Sequence, residues 1–439
     1  MRPGLGRARR ARQCLRARRA APLPATADRR VSEDALAPFG RAERASLAGR
    51  TILQIIPRLD AGGAERTTID VAAALARVGA RALVACEGGR LVSELQAVGG
   101  VLAPFPAATK NPLAMALNAR RLSRLILAER VDLVHARSRA PAWVALGACR
   151  MTRRPFVTTY HGAYSGRSGL KLRYNSVMAR GDVVIANSQF TADEIARLYP
   201  FARQRLRVIP RGADLARFSP GAVERERVAR LREAWGVAPH ERVALVAARL
   251  TEWKGQKVLI EAARLLKGRG LDDVRYILAG DAQGREGYAR ELDALIDGAG
   301  LKGVVSRVGH CPDMPAALVA ASVVAAPSTA PEAFGRSAVE AQAMGAMVVV
   351  SDCGAAPETV LAPPQTPEEA RTGWRVPPGD AQALADAIDQ ALRLGASARE
   401  TLAQRARAHI ERNFSLEHMT RATLEVYVNA LEGRPPSLP

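Results

Sequence analysis

The sequence is poor in aromatic residues, with 8 Phe, 7 Tyr and 4 Trp among 439 positions. A core of any size must then be filled by Ala, Val and Leu, which suits buried parallel strands and the helices that cover them. Cysteine is scarce as well. Cys14, Cys86, Cys149, Cys311 and Cys353 are odd in number, scattered, and form no CxxC pair. That pattern argues against a disulfide framework or a zinc site and suits a reducing cytosol. No apolar run approaches the roughly 20 residues of a membrane-spanning helix. The longest, Ala316 to Ala326, reads as a helix end followed by a strand. A soluble or peripheral protein is expected.

Acidic residues are also in deficit: 43 Asp and Glu face 64 Lys and Arg, for a net charge of +21. The first 27 residues hold eight arginines and no acid, in a Pro- and Ala-rich context without a hydrophobic period. A disordered tail is expected over residues 1–48, and it lacks the apolar stretch of a secretory signal. The remainder is still basic, which suits nucleic acid, an anionic membrane surface or a phosphorylated substrate.

At this length two domains are expected, each able to bury its own core. Short apolar strands are read at Thr51 to Ile56, Ala82 to Ala85, Leu133 to His135, Phe156 to Tyr160, Val183 to Ala186 and Arg207 to Ile209, with helices between most of them. After a charged, Pro-containing stretch from Arg211 to His240 the alternation restarts, at Val243 to Ala247, Tyr276 to Ala279, Val304 to Val308, Val323 to Ala326 and Met347 to Val350. Strands alternating with helices imply an α/β fold of two Rossmann-like domains, each a parallel sheet covered on both faces. The expected boundaries are 49–215 for the first, 216–415 for the second, and 416–439 for a C-terminal helix and tail returning to the first. A ligand then belongs in the cleft between them, at the carboxyl ends of the strands.

The most informative segment follows the strand ending at Ala326. It reads Pro327-Ser-Thr-Ala-Pro-Glu332-Ala-Phe-Gly335-Arg336-Ser337-Ala-Val-Glu340 and opens a helix near Ser337. Unpaired N–H groups and the macrodipole make a helix start attractive to a diphosphate, and Gly335 allows close backbone approach. Glu332 and Glu340 would repel phosphates but can accept from sugar hydroxyls. A second segment, Arg249-Leu-Thr-Glu-Trp-Lys254-Gly255, directly follows the strand Val243 to Ala247. Arg grips two phosphate oxygens at once and Lys acts as a point charge. Gly62-Gly63 stands between the first strand and first helix, and Tyr160-His161-Gly162 ends another strand.

Two glutamates eight apart within PEAFGRSAVEAQAMG resemble the signature of the family 4 retaining glycosyltransferases, whose two facing Rossmann-like domains are known as GT-B. The resemblance runs from about Thr51 to Tyr427 and includes Arg249, Lys254, Asn187-Ser188 and Thr372-Gly-Trp374. It implies that Glu332 orients the donor sugar, that Glu340 holds the ribose, and that Arg249 and Lys254 neutralise the donor diphosphate. It also implies that Gly62 and Gly63 close over the phosphates with Glu65 and Arg66 lining the cleft, that Gly335, Arg336 and Ser337 bind the donor, and that His161 lies near the sugar. Many members carry Asn where this chain has Arg211. No DxD occurs, which argues against the single-domain, metal-using architecture. The implied reaction is retaining and metal-independent, with a nucleotide-diphosphate sugar as donor substrate and no cofactor.

The stretch from Tyr160 to Asp182 is similar to that of bacterial lipopolysaccharide-core transferases, which implies a glycan or glycolipid acceptor of the cell envelope. A helix expected over Asn111 to Arg130 carries Leu113, Leu117, Leu122, Leu125 and Ile126 beside Lys110, Arg120, Arg121 and Arg124, and Arg167, Lys171, Arg173 and Arg180 follow His161. These suit an anionic membrane surface, and the expected location is the cytoplasm or the inner face of its membrane. They equally suit a core-packed helix with a solvated basic face. Two rivals stay open: a nucleotide-sugar epimerase of two Rossmann-type domains, and a basic nucleic-acid-binding protein, for which no recognised module is present.

Overall fold

A computed structural model describes residues 45–60, 62–162 and 168–434. Two parallel sheets lie in sequence. The first contains β1 (Thr51–Ile55), β2 (Arg81–Cys86), β3 (Val101–Pro104), β4 (Leu133–Ala136), β5 (Phe156–Tyr160), β6 (Val183–Ala186) and β7 (Leu206–Val208), in the order β3-β2-β1-β4-β5-β6-β7. The second contains β8 (Arg242–Ala247), β9 (Val274–Ala279), β10 (Val305–Gly309), β11 (Val323–Ala326), β12 (Met347–Ser351) and β13 (Trp374–Val376), in the order β10-β9-β8-β11-β12-β13. The α/β architecture of two Rossmann-like domains is therefore the observed one. Strand order reverses between β1 and β4 in one sheet and between β8 and β11 in the other, and crevices open at such switch points.

Each sheet is buried on both faces because successive side chains point to opposite sides. Ile52, Val84 and Val157 pack under the helix Gly63–Arg77, while Leu53, Leu83 and Val134 pack under the helices Pro112–Ala128 and Arg139–Thr152. In the second sheet Val246, Tyr276 and Leu278 meet the helices Gln256–Gly268 and Ala381–Arg393, and Val243, Leu245 and Ile277 meet Met314–Ala320 and Arg336–Ala343. Small and branched aliphatics fill these layers, as the scarcity of aromatics requires.

The chain crosses between the sheets twice, and the two crossings pair. Ala213 N–H donates to the Phe414 carbonyl at 2.8 Å and Leu416 N–H donates to the Ala213 carbonyl at 2.9 Å. The helix Leu416–Leu431 then packs on the first sheet through Met419, Leu424 and Tyr427. Its Tyr427 hydroxyl lies 2.6 Å from His135 Nδ1, whose Nε2 is 2.7 Å from Thr159 Oγ1. Burial holds the His135 imidazole well below its ordinary pKa, so it stays neutral in this network.

The expected tail is corrected at its end. Residues 1–44 lie outside the described residues, but Ala45–Leu47 are helical and Leu47 is fully buried against Val78 and Ala80. Order thus reaches upstream of residue 48. Leu47→Ala should cost about 2–5 kcal/mol, the range for a fully buried leucine, read as a fall in the urea midpoint. A loss within about 0.5 kcal/mol, typical of surface positions, would show that Leu47 is not part of this core.

Candidate functional site

A cleft of about 720 Å³ lies at the carboxyl ends of the two sheets. Its wall includes His161, Arg249, Lys254, Glu332, Gly335, Arg336, Ser337, Glu340 and Gly63. Nine of the ten candidates drawn from separate segments of the sequence are thus brought together. The loops after β8 and β11, on either side of the second switch point, supply most of them.

The loop after β8 is fixed from beneath. Gln256, fully buried, donates to the Arg249 carbonyl at 3.0 Å, and Tyr288 donates to the Gln256 side chain at 3.2 Å. Gly255 adopts a left-handed φ of +71° and passes so close to the Pro327 carbonyl that a β-carbon would collide with it. Thr329 N–H donates to the Trp253 carbonyl at 2.8 Å, which ties the two loops together. The Lys254 ammonium sits 4.5 Å from the centre of the Trp253 ring. Arg249 reaches outward, with Gln283 as a distant partner at 3.4 Å.

The loop after β11 carries the carboxylates. Glu332 pairs its backbone with Gly354 and takes a hydrogen bond on its carbonyl from Ala355 N–H at 2.9 Å. Its carboxylate accepts from the Ser328 hydroxyl and lies 2.8 Å from Lys254 Nζ, in a pair whose side chains are 17% and 15% exposed. At that burial, desolvation consumes much of the coulombic gain, so the pair makes little stability and keeps the ammonium available to a ligand. Gly335, at φ +86°, caps the helix Arg336–Ala343. One turn in, the Glu340 carboxylate accepts from Arg336 at 2.7 Å. That contact holds the Arg336 guanidinium above its ordinary pKa.

The first domain faces these loops. His161 Nδ1 lies 3.0 Å from Arg211 Nη2, which also donates to the His161 carbonyl at 3.2 Å. A guanidinium only donates, so Nδ1 accepts and the ring proton belongs on Nε2. Burial, with Arg211 and Arg137 adding repulsion, pushes His161 well below the usual imidazole pKa. Nε2 has no partner. Gly63 lets the Arg211 and Arg336 side chains press against it from opposite halves of the cleft. On the same helix, Asp70 is pushed up to about 6, by burial first, with Arg336 and Arg66 opposing.

Three expected residues stand outside the cleft wall. Gly62 is not in the cleft wall: it precedes the first helical residue, and the space beside its α-carbon is taken by the Glu65 carboxylate. Glu65 is thereby turned back on the loop, away from the cleft. Arg66 pairs with Glu94 at 2.5 Å on a neighbouring helix. Ala61 and Arg167 lie outside the described residues. The wall residues not singled out as site residues from sequence include Arg211, Trp253 and Asn187. Asn187 is 1% exposed, and both its amide atoms are unpartnered among the described residues. Its place just after a strand, and the Asn187-Ser188 pair within the family resemblance, were the available signals.

With the geometry in hand, the comparisons agree. The profile of Glycosyltransferase Family 4 matches residues 61–217, and that of Glycosyl transferases group 1 matches residues 228–409. A glycosyltransferase from Rickettsia africae superposes with a TM-score of 0.79 at 33% identity, covering 88% of this chain and 99% of its own. The chain belongs to glycosyltransferase family 4. Another similar structure is Anabaena HepE in complex with UDP and glucose, with a TM-score of 0.73 at 29% identity over 86% of this chain and 98% of that one. A D-inositol 3-phosphate glycosyltransferase of Xylanimonas cellulosilytica is 35% identical over 265 residues, 59% of this chain. The family 4 chain spans 60% of the length of that relative.

The contact between Arg211 and His161 is testable without substrate. Arg211→Gln removes a cation and a donor that both favour the neutral ring, so the His161 titration midpoint should move up toward 6.5 while burial still keeps it below. Proton NMR of the imidazole would read this. An unmoved midpoint would mean that burial alone sets it.

Proposed function

We propose that this family 4 member transfers a glycosyl group from a nucleotide-diphosphate sugar to a cell-envelope glycan or lipid-linked acceptor, retaining anomeric configuration and using no metal ion. The observation that carries the reading is the convergence of Arg249 and Lys254 with the start of the helix Arg336–Ala343 on one side of the cleft. A diphosphate bound there meets two cations and a helix N-terminus. Its charge grows as the glycosidic bond breaks, and preorganised cations stabilise that growth.

Glu332 and Glu340 are each held by a cation. This suits them to accept sugar and ribose hydroxyls, respectively, rather than to attack carbon. The leaving diphosphate is then the group placed to take the acceptor hydroxyl's proton, on the face where the acceptor approaches. The neutral His161 offers an Nε2–H to a sugar hydroxyl. Domain closure over the cleft would exclude water and limit donor hydrolysis. Uridine is the favoured base, since HepE, similar to this chain over both domains, is seen with UDP.

For the acceptor, the helix Pro112–Ala128 supports a membrane-bound substrate. Leu113, Leu117 and Leu127 are 78%, 54% and 61% exposed, and share one stripe with Arg120 and Arg124, all within about 40° of a common line at 3.6 residues per turn. An exposed face of leucine and arginine suits anionic lipid. No helix among the described residues is long and apolar enough to cross a membrane. A second reading, a phosphorylated cyclitol acceptor, is favoured by the name of the Xylanimonas relative. An epimerase would need no acceptor and a nucleic-acid binder no such cleft.

Arg249→Ala or Lys254→Ala should each cost about 2.7–4 kcal/mol in the barrier, or roughly 100- to 1000-fold in turnover, as for loss of one preorganised donor. The double variant should fall short of additive, because both groups stabilise one charge. Turnover should also survive EDTA. Folded variants with wild-type rates would place the phosphates elsewhere. Complete loss in EDTA, restored by magnesium or manganese, would refute the metal-free reaction.

A further inference from the structure

The helix Gln189–Leu198 begins just past the carboxyl end of β6, with Asn187 and its cap Ser188 between. Its first N–H groups need acceptors from outside the helix. The third, of Thr191, is taken by the Ser188 hydroxyl at 3.1 Å, an ordinary local cap. The first two are taken by the other domain. Glu358 Oε2 accepts from Gln189 N–H at 2.8 Å, and Oε1 accepts from Phe190 N–H at 2.7 Å. Both carboxylate oxygens are thus engaged on the positive end of a helix 168 residues away, a charge-assisted, two-pronged contact. Beside it, the Thr191 hydroxyl points to the Ala333 carbonyl at 3.5 Å, in the loop that carries Glu332.

We propose that Glu358 is a positioning residue for transfer: it holds the helix start of the first domain against the second, and so sets Asn187 opposite the donor loop. Two features make the position matter. Glu358 belongs to the short helix Ala356–Thr359 that follows Gly354 and Ala355, and these pair with the Glu332 backbone. The carboxylate is therefore mounted on the segment that fixes Glu332. At the other end of the contact, Asn187 is buried in the cleft wall, and its side-chain carbonyl and amide nitrogen are both unpartnered among the described residues. A buried amide with no partner is costly unless a ligand satisfies it. The contact joins these two ends across the cleft, far along the chain from the paired crossings at Ala213 and Ser415 that would serve as the hinge. The part in transfer rests on the function proposed above; the contact's effect on domain arrangement does not.

Two substitutions attack the contact from opposite sides. Glu358→Ala removes the acceptor. Gln189→Pro removes one donor at the first helical position, where proline is well tolerated and where the extended Ser188 before it is compatible. Spin labels on the two domains read their separation directly, and calorimetry reads nucleoside-diphosphate affinity. Glu358→Ala should lengthen and broaden the inter-label distance and lower kcat about 10- to 100-fold, roughly 1.4–2.7 kcal/mol at 1.36 per tenfold. Affinity for the diphosphate should stay within about two-fold, since its proposed contacts lie in the second domain. Gln189→Pro should give a smaller effect in the same direction, and the pair should be no worse than Glu358→Ala alone. A wild-type distance distribution in both folded variants would overturn the proposal, as would a wild-type kcat. If the native protein turns over no nucleotide sugar, the proposed function fails, and the distances still decide whether Glu358 positions the domains. Should Glu358→Ala not fold, Gln189→Pro decides alone by the same two readouts.

Discussion

The arrangement depends on one electrostatic constraint: cations and carboxylates must share a small, partly desolvated space without neutralising each other for good. Lys254 with Glu332 and Arg336 with Glu340 meet that constraint as two ion pairs at the edge of a helix N-terminus. Neither pair is a strong source of stability, because desolvation offsets attraction at such burial. Each leaves its cation with further donors for an arriving anion and leaves its carboxylate aimed at the cleft. The parallel sheet makes this possible. It delivers the loops after β8 and β11 to one edge, and the Gly255 and Thr329 contacts lock the loops together.

The first domain answers with a different device. Arg211 fixes the tautomer of His161 while repelling its protonation, so a neutral donor persists beside a cluster of guanidinium groups. Behind it lies a rigid polar lattice: Gln54 accepts from buried Arg137 at 2.6 Å, and His135 joins Tyr427 of the returning C-terminal helix to Thr159. Buried polar networks of this kind specify a single arrangement when they are satisfied. The returning helix thereby anchors the chain's end to the strand at the first switch point.

Much of this was legible in the sequence, for identifiable reasons. Central strands such as Val243 to Ala247 are continuous apolar runs, and both switch-point loops after β8 and β11 carry functional residues soon after a strand end. The edge strands Val101–Pro104 and Trp374–Val376 were not read, because each is short and one ends in proline. Leu47 was hidden by its arginine-rich surroundings. Glu65 and Arg66, placed at the cleft by the resemblance alone, stand outside its wall, because a resemblance carries no side-chain direction. Leu113 and Leu117 looked like part of an apolar helical set, yet of that set Leu122 and Ile126 are buried in the core and Leu125 packs against it, while Leu113 and Leu117 are exposed. Arg211 and Glu358 owe their contacts to partners distant in sequence, His161 and the start of the helix Gln189–Leu198, which no local pattern announces.

The central claim, that the second domain's cations recognise a diphosphate, is tested most directly by calorimetry on the native protein in EDTA, comparing UDP, GDP and ADP with their nucleosides. The account predicts that one nucleoside diphosphate binds at least about 100-fold more tightly than its nucleoside, the scale of two charged hydrogen bonds at about 1.5 kcal/mol each, with affinity falling as salt rises. Equal affinity for the diphosphate and the nucleoside would contradict it.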